Sequence, residues 1–242
     1  MKLELETIPV WDGVKSDKEC FLCELMKEAE THAVSYFLGS SVMHPETRLA
    51  VNETGFCPNH WALLAAAGKP QALALISHTY LEQTLGQLEG RIERIAKGKA
   101  GRKTTSAVRD VVATMQKREA GCLVCDKMKG RLDRYATTIV YLWGNDAEFR
   151  QALSEGKGVC LHHLEALLNV APAVLDTKQT QVFSAELTTL VHHNLKRLEH
   201  DLWWMTQKYK AEHVDSPWNG CEDAHKRLVN KLIGEGRIFS GS

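Results

Sequence analysis

Six of the seven cysteines fall into two repeated sets. Cys20-x2-Cys23 is followed by Cys57-Pro58-Asn59-His60, and Cys122-x2-Cys125 is followed by Cys160-Leu161-His162-His163. The second cysteine precedes the third by 34 positions in the first set and by 35 in the second. Each set offers three sulfurs and one imidazole, the donors of a closed structural metal site with no position left for substrate. Chain order groups them as Cys20, Cys23, Cys57 and His60 in one site and Cys122, Cys125, Cys160 and His163 in the other. Zinc suits such a donor set, giving two Zn(2+) per chain, while an iron-sulfur cluster is the competing cofactor. A covalent c-type haem is disfavoured, because Glu24 or Asp126 follows each pair where that attachment needs histidine. A disulfide framework fits poorly with a chain of this size.

His162 competes with His163 in the second set. The match to Cys57-x2-His60 favours His163. A further grouping of His213, Cys221 and His225 is a candidate auxiliary site, with no repeated counterpart to support it.

The flanking residues repeat along with the ligands. Cys20-Phe-Leu-Cys-Glu-Leu-Met-Lys parallels Cys122-Leu-Val-Cys-Asp-Lys-Met-Lys, and Gly55-Phe56-Cys57 parallels Gly158-Val159-Cys160. The duplication divides the chain into a first unit over residues 1–103 and a second over 104–242.

Helices must position these donors. At the start of a helix, positions i and i+3 share a side, and the unpaired N–H groups there favour thiolate over thiol. Cys57 and Cys160 read as N-cap residues, which puts His60 and His163 at N3, and Pro58 fits N1. Apolar periodicity predicts helices over 18–38 with Asp17 as cap, 58–67, 71–97, 104–119, 123–142, 146–154, 161–169, 180–211 and 218–233. Strand alternation is scarce. The fold class is therefore all-α: duplicated metal-pinned helical units with long antiparallel helices as the body.

Composition bounds the function. With 44% apolar and 25% charged residues among 242, the chain can build its core without disulfides. Thirty basic and thirty acidic side chains cancel, so no overall field steers it to nucleic acid or membrane. The basic run at 97–103 reads as a linker with solvated charges rather than a nucleic-acid motif. The longest apolar run, 61–67, is far short of the roughly twenty residues that span a bilayer. Acidic residues at the N-terminus argue against an export signal, which places the protein in the cytoplasm.

No phosphate loop, His-Glu-x2-His helix or Gly-x-Ser-x-Gly elbow is present, so no catalytic residue or small-molecule ligand is assigned and enzyme activity stays open. The late aromatics Trp203, Trp204, Tyr209 and Trp218 are candidates for a homodimer or protein-partner surface. The two Cys-x2-Cys and Gly-x-Cys-x2-His elements, with the terminal segment 218–234, resemble an uncharacterised prokaryotic helical family, domain of unknown function 6062. That resemblance implies a soluble bacterial or archaeal protein and supplies no catalytic residue or substrate. The expected function is a cytosolic metal-stabilised scaffold or binding protein, with an iron-sulfur redox or electron-transfer protein as the alternative.

Overall fold

The computed structural model describes residues 4–99 and 101–234, and among these no strand occurs. Residues 1–3 of the acidic N-terminal segment and Ala100 of the basic linker lie outside the described residues. The helices in chain order are α1 (Glu4–Val14), α2 (Phe21–Phe37), α3 (Pro45–Thr54), α4 (Pro58–Ala66), α5 (Pro70–Lys97), α6 (Arg102–Glu119), α7 (Leu123–Asn145), α8 (Ala147–Glu155), α9 (Leu161–Val174), α10 (Thr177–Gln207) and α11 (Ala224–Ile233).

Two compact units emerge, and they do not follow a cut at residue 103. Among the described residues, one joins 4–29 to 130–234, and the other falls within 30–129. The division falls inside α2 and inside α7, so each of these helices contributes to both units.

In the discontinuous unit, Val10, Leu22, Ile139, Phe149, Leu167, Phe183 and Leu198 form the core, with Trp11 meeting Phe149 edge-on. Buried Glu6 anchors α1 by accepting from Arg131 at 2.9 and 3.1 Å and from Arg134 at 3.0 Å. Asp146 caps α8 through the N–H groups of Glu148 and Phe149, and Asp176 and Gln179 form a capping box on α10. In the continuous unit, Val51, Leu64, Ile76, Leu88, Ala107 and Val124 are buried. A row of edge-to-face rings runs Phe37, Phe56, Trp61, Tyr80, with the Arg118 guanidinium stacked 4.1 Å from the Tyr80 centroid.

Several boundaries differ from expectation. α2 begins at Phe21, leaving Asp17 outside as an ion-pair partner of Lys157 rather than a cap. α9 continues through Pro172, because Ala171 and Leu167 are fully buried and packing outweighs the lost hydrogen bond. The last helix starts at Ala224 rather than at 218. Trp218 sits in the turn before it, where the Lys208 ammonium lies 5.3 Å from its ring centroid and donates to the carbonyls of His213, Val214 and Ser216. The Trp204 indole N–H donates to Pro217 O, whereas Trp203 and Tyr209 are exposed. α1 and α3 carry weak apolar periodicity and were not expected. No helix of the described residues is long and apolar enough to cross a membrane.

Candidate metal centres

The donors gather crosswise. Cys20 and Cys23 meet Cys160 and His163, and Cys57 and His60 meet Cys122 and Cys125, with all four donor atoms of each set within 4.8 Å of one another. The grouping by chain order is thus corrected, and each compact unit holds one complete set. The two helices that cross the division set this pairing. α2 begins beside Cys20 and Cys23 in one unit and continues into the other, and α7 begins beside Cys122 and Cys125 and continues the opposite way. The Cys-x2-His element that follows each helix therefore falls in the unit of the other Cys-x2-Cys element.

In the first centre the Nδ1 of His163 lies 3.3 Å from Cys20 Sγ, 3.5 Å from Cys23 Sγ and 3.4 Å from Cys160 Sγ, and the sulfurs of Cys23 and Cys160 are 3.8 Å apart. Cys160 is the N-cap of α9, and its sulfur accepts from the N–H of His163. All four residues are buried. His162, the neighbour of His163, is exposed and outside the set.

The second centre repeats this arrangement. His60 Nδ1 lies 3.1 Å from Cys57 Sγ, 3.2 Å from Cys122 Sγ and 3.4 Å from Cys125 Sγ, and the sulfurs of Cys57 and Cys125 are 4.0 Å apart. Cys57 caps α4 with Pro58 at N1. Cys125 is partly exposed, unlike its three companions.

Electrostatics in each set favours an ionised pair. Burial by itself disfavours imidazolium, but Cys122, Glu30 and Cys57 around the ring raise His60 to about 10. Burial pushes the Cys122 thiol up, yet His60 and the N–H groups of Cys125 and Cys57 bring it down to about 6. In the first centre, burial likewise opposes charge on His163, which Cys160 and Cys20 nevertheless raise to about 9. Hydrogen bonds from Cys20 and Cys23 hold Cys160 well below the usual thiol value, while Cys160 and Cys20 push Cys23 up. Each centre gathers anionic sulfur where a cation would replace protons.

Residues behind the donors were not evident from sequence. In the second centre, Glu30 Oε1 meets His60 Nε2 at 3.1 Å. Arg118 donates to Asn52 O on α3, Tyr80 O and Gln87 Oε1 on α5, and the N–H of Leu123 donates to Gly55 O. That last bond joins the turn before Cys57 to the turn holding Cys122. In the first centre, fully buried Lys231 donates to Glu19 O and Lys157 O, clamping the segments that enter Cys20 and Cys160. The Glu19 carboxylate in turn accepts from Arg197 at 2.7 and 2.6 Å.

His213, Cys221 and His225 form no comparable set among the described residues. Buried Cys221 instead lies 3.9 Å from Asn219 O.

Among known proteins, an uncharacterised 23.9 kDa protein in the xynA 3′ region of Caldicellulosiruptor sp. (strain Rt8B.4) is 23% identical over 189 residues, covering 78% of this chain and 84% of that protein. No solved structure matches. The model of the family of unknown function DUF6062 matches residues 1–238, and with nearly the whole chain so covered, the protein belongs to that family.

Proposed function

We propose that the protein is a cytosolic scaffold or binding protein whose duplicated halves exchange ligands to hold two structural zinc ions. The observation that carries this reading is the spacing of the donors. Four ligands at about 2.3 Å for sulfur and 2.0 to 2.1 Å for nitrogen, placed tetrahedrally, have S···S edges of about 3.8 Å and S···N edges of about 3.5 Å. One S···S pair in each centre is 3.8 or 4.0 Å apart, the S···N separations run from 3.1 to 3.5 Å, and all four donors of each set lie within 4.8 Å of one another. Such a cage suits one shared ion. A four-iron cluster binds each ligand to a different iron and needs a wider ring of donors, which speaks against the redox alternative.

Four protein ligands leave no open position, so the metal's contribution is to folding rather than to substrate activation. Each centre joins chain segments distant in sequence, which a small helical unit otherwise holds only by packing. Elemental analysis of protein purified under anaerobic conditions tests this reading. Two equivalents of zinc and no visible absorption are expected, whereas iron with acid-labile sulfide and a broad visible band would establish the redox alternative.

A further inference from the structure

The hairpin of α5 and α6 exposes an apolar face that the described residues leave uncovered. Leu81, Leu85 and Ile92 on α5 and Val108, Val112 and Met115 on α6 are each 44% to 55% exposed. Their spacings of four and seven, and of four and three, set each trio along one stripe. The stripes lie on the same side of the hairpin. A cavity on its other side is lined by Gln83, Gln87 and Arg91 of α5 together with Thr114, Lys117 and Arg118 of α6. Leu85 and Val112 each differ by two residues, about 200° of helical turn, from Gln87 and Thr114.

Charge borders this face with opposite signs. Along the outer edge of α5, next to the stripe, run exposed Glu82, Glu89 and Glu93, the last 3.6 Å from Lys97 one turn further on, while the outer edge of α6 carries exposed Arg102 and Arg109. In an antiparallel hairpin whose turn lies near residue 100, Glu93 and Arg109 stand at the same level. A two-fold axis parallel to the helices lays α5 of one copy on α6 of the other, bringing each acidic edge to a basic edge. An axis perpendicular to the helices places like charges together. The charge pattern is therefore self-complementary in one orientation and repulsive in the other.

We infer that this face is a homodimer interface, with two α5–α6 hairpins closing into a four-helix bundle. α6 is about 27 Å long and the paired helices are about 20 Å wide, so the face offers about 500 Å² per copy. The total of about 1,000 Å² lies at the lower edge of specific interfaces, and the two basic tips at 97–103 repel each other at one end of the bundle. The occupant of the face is a second copy rather than an unrelated partner because both charged edges find their complements within the same surface.

Sedimentation of the full metal-loaded chain between 1 and 300 µM tests the inference. A monomer–dimer equilibrium is expected, weakened at least tenfold by Arg109→Glu and restored by combining it with Glu89→Arg and Glu93→Arg. Leu85→Glu with Val112→Glu should abolish the dimer while circular dichroism and metal content stay unchanged. The exposed edge substitutions provide a test that does not depend on tolerance of the apolar ones. A chain that remains monomeric at 300 µM, leaving the face to a different partner, overturns the inference, as does a dimer indifferent to Arg109→Glu.

Discussion

The Nε2 of His60 lies 3.1 Å from Oε1 of Glu30, on the opposite edge of the ring from the three sulfurs gathered around Nδ1. A carboxylate in that position accepts the ring N–H, fixes the tautomer that presents a lone pair to a metal, and raises the basicity of the ligand. Glu30→Gln should therefore weaken metal binding in the second centre by about 10- to 100-fold and leave the first unaltered. Chelator competition followed by metal counting should resolve two populations in the variant. Equal loss from both centres would assign Glu30 a general role in folding.

Crosswise ligation makes a prediction by counting. Cys20→Ser with Cys160→Ser damages one centre and should leave one equivalent of metal, whereas Cys20→Ser with Cys57→Ser damages both. Grouping by chain order gives the reverse result. Mass spectrometry under native conditions reads the difference directly, since one zinc changes the mass of a 27.1 kDa chain measurably.

These two experiments also mark where sequence reasoning stopped. The repeated donor types, the N-cap cysteines and the helical class were readable because each depends on a few residues close in the chain. Which pairs meet depends on α2 and α7 each passing from one compact unit to the other, and the intervals of 34 and 35 residues are silent on that. Glu30 reads as one more carboxylate on a helix, and Lys231 as one more cation on α11. Their burial comes from tertiary packing, so neither periodicity nor motif singles them out. Pro172 misled for a similar reason: a local helix stop was overridden by the buried face of α9.

Proton competition at the second centre follows from its electrostatics. His60 is raised to about 10, so metal must displace a proton from it throughout the neutral range. Cys122 is lowered to about 6 and is already a thiolate above that pH, but below it the metal must displace one more proton. Apparent affinity should fall as pH falls, and the slope of log affinity against pH should steepen by about one unit below pH 6. Zinc titrations against a competing chelator from pH 5 to 8 give this slope. An unchanged slope across pH 6 would show that Cys122 is not the early thiolate.

Lys231 supports the first centre through backbone. Its fully buried ammonium donates to Glu19 O and Lys157 O, next to the segments carrying Cys20 and Cys160. Lys231→Met keeps much of the volume but leaves two carbonyls without their donor, a loss of about 1–3 kcal/mol each before relaxation. Denaturant unfolding should show a destabilised protein whose first centre releases metal faster than its second. Lys231→Arg should recover little, because a planar guanidinium cannot occupy the ammonium's space without displacing the packing around it.

Gly55 and Gly158 precede the two Cys-x2-His elements at equivalent positions, and both have φ of 71°. A side chain at either position carries a conformational penalty, about 1–3 kcal/mol for backbone held in such a region. Their surroundings differ. A Cβ on Gly55 would lie 2.7 Å from the Tyr80 ring, whereas one on Gly158 would meet Leu190 and Val191 at an ordinary 3.4 Å. The Tyr80 ring is held between Trp61 and the stacked Arg118, so it has little freedom to withdraw. Gly55→Ala should therefore cost about 1–3 kcal/mol more than Gly158→Ala, the usual penalty for overpacking. Its effect should appear first as metal loss from the second centre, because Gly55 O also accepts from Leu123 beside Cys122. Thermal unfolding of the two variants, each with Tyr80→Leu added, separates the contributions. Trimming the ring should recover stability in the Gly55 variant relative to its own single-substitution control, with no comparable recovery for Gly158. If the two glycine substitutions cost the same, backbone conformation alone governs these turns and the Tyr80 contact contributes nothing.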